Sequence, residues 1–203
     1  MTNHHFLFAA TLGLSFITSS FCLAAPAKDE MSIALNAEFD TINPILNTMM
    51  SGVMVEDAAI RPMVKLTPAG VPEAVLIKEI PSVKNKKAVI FKDASGTHLR
   101  AEFEFLPEAK WGDGQPLTCK DLEASWKIGN DSLVATPNKE DYNNIQSIAI
   151  DEKNPKKCTV TFKQAQYNFY VMLPRPVPAH LELPVLEANK NKPQGYERNS
   201  LYV

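Results

Sequence analysis

A chain of 203 residues with 45% hydrophobic and 22% charged residues has the composition of an ordinary globular protein and too much apolar content to be disordered. Its 21 Lys and Arg against 23 Asp and Glu give a formal net charge of −2, without the basic excess that neutralising nucleic-acid phosphates requires. A chain of this size buries roughly 70% of its unfolded surface, so its core needs no metal or staple.

At the N-terminus, residues 6–17 form an almost unbroken apolar run, followed by Thr18, Ser19, Ser20 and then Ala24 and Ala25. This is the pattern of a secretory signal peptide over residues 1–25, although residues 1–5 carry no Lys or Arg. The run is about a dozen residues, short of the roughly 20 that span a bilayer core. Lipidation signals carry an aliphatic residue three before the cysteine and a small one just before it. Ser19 and Phe21 occupy those positions, so Cys22 is expected to leave with the leader. Cleavage near Ala24 or Ala25 removes no Asp, Glu, Lys or Arg and leaves two cysteines, Cys119 and Cys158, in an exported chain where oxidation is permitted. They form a bridge, which on the chain-entropy model contributes roughly 4 kcal/mol for a loop of about 40 residues, or they are two separate buried thiols. Spacing does not decide between these, because a bridge depends on distance geometry.

Residues 31–35 are apolar enough for a buried strand and lead into a polar loop ended by Pro44. Asn47 or Thr48 can cap a helix through about Ile60, with Met50, Val53, Met54 and Asp57 at helical spacing and Pro62 as the stop. A short strand over 63–66 and a turn over 67–70 follow. Residues 84–92 and 98–105 read as a hairpin around Asp93, Ala94, Ser95 and Gly96. In its second arm Leu99, Ala101, Phe103 and Phe105 alternate with His98, Arg100, Glu102 and Glu104, giving one dry face and one wet face. After a turn over 111–116, Thr118 caps a helix with Asp121 near its positive end, Leu122 and Trp126 on its buried face, and Gly129, Asn130 and Asp131 at its end. Residues 147–151 and 158–163 pair as a second hairpin, 164–173 read as a helix, and the prolines of 174–178 hold an extended segment. Beyond Glu187 the chain turns polar.

Signatures of catalysis are absent: there is no G-x-S-x-G, H-E-x-x-H, C-x-x-C, P-loop or G-x-G-x-x-G motif. His98 on a wet strand face and His180 at a helix start read as ordinary surface or capping residues. Asp113 and Asp121 supply the carboxylate pair that a hydrolase would need, but a Gly-rich turn and a first helical turn give each a local backbone role.

The run Phe103-Glu104-Phe105-Leu106, Lys110-Trp111-Gly112-Asp113-Gly114-Gln115-Pro116-Leu117-Thr118, Asp121-Leu122 and Ser125-Trp126 resembles the family 5 solute-binding proteins of ABC importers, the peptide- and nickel-binding group. That family writes this stretch as a strand, then W-x-D-G-x-P-(V/L)-T-A-x-D-V-x-x-S. Cys119 stands here for the usual alanine and Leu122 for valine. Glu38-Phe39-Asp40-Thr41-Ile42-Asn43-Pro44 is similar to the family segment ending in Leu-Asp-Pro, with Ile42 and Asn43 as departures. Leu66-Thr67-Pro68-Ala69-Gly70-Val71-Pro72 and the strand through Phe162, with Tyr167, Phe169 and the prolines behind it, continue the same order to His180.

The resemblance implies an α+β fold, a mixed β-sheet with flanking helices. Residues 26–187 would form the first lobe of a two-lobe periplasmic binding protein type II-like fold, and 188–203 a polar tail or the start of a missing lobe. It implies a periplasmic, monomeric component without cofactor, metal or nucleic acid, which binds a short peptide and delivers it to an ABC permease in the inner membrane. By the same resemblance, Glu38, Phe39, Asp40 and Thr41 face the cleft, offering backbone groups to a peptide added as a strand and a carboxylate to a basic group. The alternative is that Asp40 and Asn43 merely build the turn before Pro44. Relatives are more than twice this long, so the second lobe is expected beyond Val203. A truncated remnant without independent function, or an exported hydrolase using Asp113 and Asp121, are the other readings.

Overall fold

The computed structural model describes residues 32–202, in which Met50–Ala59 forms helix α1 and Val64–Leu66 and Pro72–Ala74 pair as strands β1 and β2. Strands β3 (Ala88–Asp93) and β4 (Gly96–Glu104) form a hairpin, followed by helices α2 (Cys119–Asn130) and α3 (Lys139–Asn144). A second hairpin joins β5 (Ile145–Ile150) to β6 (Lys157–Phe162), and α4 (Ala179–Asn189) closes the order. The leader, Cys22 and Met31 lie outside the described residues. The fold is α+β, and the larger sheet runs β3-β4-β6-β5 with every described pairing antiparallel, where a mixed sheet was expected.

Alternation builds the core. Leu99, Ala101, Phe103 and Phe105 are at most 2% exposed, and so are Cys158, Val160 and Phe162, their cross-strand neighbours on β6. Each fully buried Leu or Phe contributes roughly 1.5–3 kcal/mol. Phe169 packs edge-on against Phe162 and Phe103, with ring centroids 5.7 and 6.3 Å apart. Helix α2 begins as its residues dictate: Thr118 accepts from the Lys120 amide, and Asp121 accepts from the Thr118 amide at 2.7 Å. Its Cys119 and Leu122 join the sheet core, its Ala124 and Ile128 join a second cluster with Val134, Tyr142, Val177 and Tyr196, and Trp126 touches both. Cys119 and Cys158 are joined as a disulfide with Cα atoms 6.1 Å apart, tying the start of α2 to β6.

Several segments depart from expectation. Residues 32–35 form no strand. Residues 164–173 form bends and turns rather than a helix, and the amides of Lys163, Gln164 and Ala165 before them are bonded to Asn144 and Thr97. His98 is buried, not on a wet face: it stacks on its cross-strand neighbour Phe91 at 5.2 Å, and its Nε2 lies 3.0 Å from both Asp93 and Ser95. Hydrogen bonds from Ser95, and then His98, hold the Asp93 carboxyl down to about 2.

The expected boundary at 187 falls inside α4. Residues beyond that helix pack back, with Tyr196 2% and Ser200 6% exposed.

Gly129 lies within α2 against the ring of Tyr142, where an added Cβ would stand 2.1 Å from a ring carbon. We expect Gly129→Ala to destabilise the fold by about 1–3 kcal/mol through overpacking, read as a lower urea midpoint. A denatured, unreduced sample of the processed protein should show no reactive thiol; finding two would exclude the bond between Cys119 and Cys158.

Candidate functional site

The loop that carries Glu38, Phe39, Asp40 and Thr41 is built around Asn43, which is fully buried. The Asn43 side chain accepts from the Ile45 amide at 2.9 Å and donates to the Tyr196 hydroxyl at 3.0 Å and the Ser200 hydroxyl at 2.8 Å. Thr41 accepts from the Asn43 amide through Oγ1 and donates to the Tyr202 carbonyl. At the other end of the loop, Ser51 in the first turn of α1 donates to the Glu38 carbonyl at 3.0 Å. Between these anchors the side chains of Glu38 and Asp40 are exposed and Phe39 is 37% exposed. The four predicted residues therefore form one continuous segment fixed at both ends, with Thr41 turned inward as an anchor.

A second buried acid supports the anchor. Glu182 in α4 is fully buried and accepts from the Leu201 amide at 3.1 Å, holding the same returning segment. Burial, with Glu182 beside it, pushes the Tyr196 phenol up, so this hydroxyl remains neutral and available for hydrogen bonding.

Helix α1 buries Ser51, Gly52 and Glu56 and leaves Met50 and Met54 in solvent. Glu56 is held by Asn47 at 3.0 Å and by the Arg175 guanidinium at 2.9 Å; Arg175 also bonds the Ile60 carbonyl and Asp57. Beyond this clasp lies a cavity of about 740 Å³ whose lining includes Asp57, Arg61, Lys65, Tyr170 and Arg175. A second cavity, of about 620 Å³, is apolar and bordered by Pro72, Pro81, Ile90, Leu99 and Phe169. Glu38, Phe39, Asp40 and Thr41 line neither.

The tryptophan motif is scaffold. The Trp111 amide donates to the Gln115 carbonyl at 2.8 Å, and Gly114, with φ of 88°, accepts the left-handed geometry of that turn. Asp113 accepts from the Gln115 amide and pairs with His180 at 2.6 Å, two bonds that hold its carboxyl below the usual range. Asp121 spends one oxygen on Thr118 and the other on the Ala179 amide at 2.9 Å. With both oxygens committed to the backbone, Asp121 is unsuited to act as the second carboxylate of a hydrolase.

No family model matches the chain, and no curated protein matches it. Solved structures do. The oligopeptide binding protein from Thermus thermophilus, complexed with a pentapeptide, superposes with a TM-score of 0.66 at 20% identity over 77% of this chain and 28% of its own. The fold is that of a substrate-binding protein. The oligopeptide-binding protein AppA from Bacillus subtilis, in complex with a nonapeptide, gives 0.58 at 15% identity over 80% of this chain and 29% of its own. AgaA from A. tumefaciens, in complex with agropinic acid, gives 0.57 at 19% identity over 77% and 29%. The chain thus spans under a third of the length of the substrate-binding proteins it matches.

Asn43, Glu56 and Arg175 organise this surface, and the sequence reading missed all three. Asn43 before Pro44 was visible only as a turn former. The clasp joins residues more than a hundred positions apart, which no local pattern reports. Burial raises the Glu56 carboxyl, while Asn47 and Arg175 pull it back and Asp57 adds to the rise. A carboxyl raised on folding lowers stability as pH climbs through the interval above its ordinary value, and loss of Arg175 widens that interval. We therefore expect Arg175→Met to cost about 3–5 kcal/mol near pH 7 and distinctly less near pH 4, where Glu56 is protonated, as measured by urea unfolding at the two pH values.

Proposed function

We propose that this chain contributes the ligand-facing part of an exported substrate-binding component that captures short peptides and delivers them to an ABC permease in the inner membrane. One observation carries the reading: the superposition, at a TM-score of 0.66 over 77% of the chain, on an oligopeptide binding protein complexed with a pentapeptide. The anchored loop supports it. Glu38 and Asp40 present carboxylates for a peptide amino terminus or basic side chain, Phe39 presents an apolar surface, and Thr41 anchors the segment to Asn43 and Tyr202. A loop fixed in advance at both ends loses less conformational freedom on binding than a free one, so more of the contact energy appears as affinity. This is capture without bond chemistry, and the proposal assigns it no cofactor or metal.

Isothermal titration of the processed gene product with mixed tri-, tetra- and pentapeptides tests the reading. Heat is expected for peptides, and Asp40→Asn together with Glu38→Gln should weaken binding about tenfold for free amino termini and little for acetylated ones. No heat with any peptide, or heat only with small non-peptide acids, would overturn it.

A further inference from the structure

Helix α1 departs from an ordinary surface helix, which turns its apolar stripe inward: its Val53 and Val55 are only half-buried. Here Ser51, Gly52 and Glu56 face the interior, while Met50 is 70% and Met54 52% exposed. Helical spacing puts Met50, Met54 and Asp57 on one outward stripe. Single exposed apolar residues need no explanation, but this stripe begins beside the loop carrying Phe39, since Ser51 holds the Glu38 carbonyl against the first turn. Methionine side chains are flexible and polarizable, and they suit a surface that must accept differing apolar groups.

Unpaired charge of opposite sign flanks the stripe, since Asp57 within it is paired with Arg175. At its start, Glu38 and Asp40 are exposed, and two full carboxylates outweigh the roughly half positive charge of a helix N-terminus. At its far end Arg61 is exposed and lines the cavity of about 740 Å³. The other cations there are engaged: Arg175 pairs with Glu56 and Asp57, and Lys65 with Glu73 at 3.3 Å. Arg61 makes no ion pair among the described residues. The 10 residues of α1 span roughly 15 Å, and an extended chain advances about 3.3 Å per residue, so four or five residues reach from one end to the other.

Resting on the peptide-binding reading above, we infer that the outward stripe of α1 is the floor on which the peptide lies. Its amino end sits at Glu38 and Asp40, its apolar side chains on Met50 and Met54, and its free carboxylate on Arg61. The ligand class is accordingly an unblocked, apolar peptide of four or five residues.

The probe is Ala-Leu-Leu-Leu-Ala, titrated as the free acid and as the C-terminal amide into wild type, Arg61→Gln and Met54→Glu. Both substituted side chains are exposed, so all three proteins should share one thermal melt and one circular dichroism spectrum. The acid should bind wild type about tenfold more tightly than the amide, Arg61→Gln should bind the two alike, and Met54→Glu should weaken both about tenfold. The inference is overturned by equal binding of acid and amide to wild type, by discrimination that survives Arg61→Gln, or by a Met54→Glu protein that binds like wild type. In each of those outcomes peptide capture itself stands. Absence of heat with this probe and with the mixed library removes the peptide reading and the inference together.

Discussion

The buried amide of Asn43 is the interaction on which the arrangement of this chain depends. One side chain satisfies the backbone of its own turn through Ile45 and reaches residues 153 and 157 positions away, Tyr196 and Ser200. A buried amide left unsatisfied costs about 1–3 kcal/mol, so the turn before Pro44 and the segment after α4 are stable in place only together. The exposed loop ahead of Asn43 inherits this rigidity. Its hydrogen bonds to Tyr202 and Ser51 run to segments that are themselves held, which is how a polar stretch with little apolar content keeps one conformation.

Acidic groups are distributed on the same logic. Asp121, Glu182 and Glu56 are all buried, yet the first two are held mainly by backbone amides at helix or chain junctions and only Glu56 has a guanidinium partner. Asp121 starts α2 and receives the amide of Ala179, so a single carboxylate sets the beginning of two helices. Ser125, one turn further on, accepts from the Val177 amide at 2.9 Å and donates to the Arg175 carbonyl at 2.7 Å, laying the proline-rich segment along α2. Arg175 then carries that order to α1 through Glu56 and Asp57. Charge in this chain therefore fixes the relation of elements more than it adds stability, since a buried pair recovers little beyond its own desolvation.

What was legible in the sequence was whatever a local pattern records. The alternation from Leu99 to Phe105, the cap at Thr118 and Asp121, and the break at Pro62 all report on neighbours within a few residues, and the strands and helices stand where those signals put them. The misreadings share a different cause. His98 alternates with a buried leucine and so reads as wet, but Phe91 across the hairpin covers it. Residues 164–173 carry aromatics at helical spacing, yet they form bends and turns whose Phe169 packs on Phe162 and Phe103 of the sheet. The polar composition beyond Glu187 hides Tyr196 and Ser200, whose partners lie at Asn43. The loop at Glu38 to Thr41 was singled out by resemblance, while the residues that hold it were not.

On the proposed reading, the outer face of α1 joins the fold to its chemistry. The fold alone does not choose a ligand, because structures with this architecture are seen with a pentapeptide, a nonapeptide and agropinic acid. On the same proposed reading, selection comes from side chains that the scaffold leaves outside. Glu56 spends its charge inward on Arg175, and Gly52, whose Cβ would meet the Asn47 amide at 2.5 Å, lets that side chain close over the helix. With Ser51, Gly52 and Glu56 filling the interior side of α1, Val53 and Val55 are only half-buried and Met50 and Met54 lie outside. Glu56 appeared in the sequence as one acid among 23 Asp and Glu. The polar clasp thus leaves Met50 and Met54 on the outer surface of the helix.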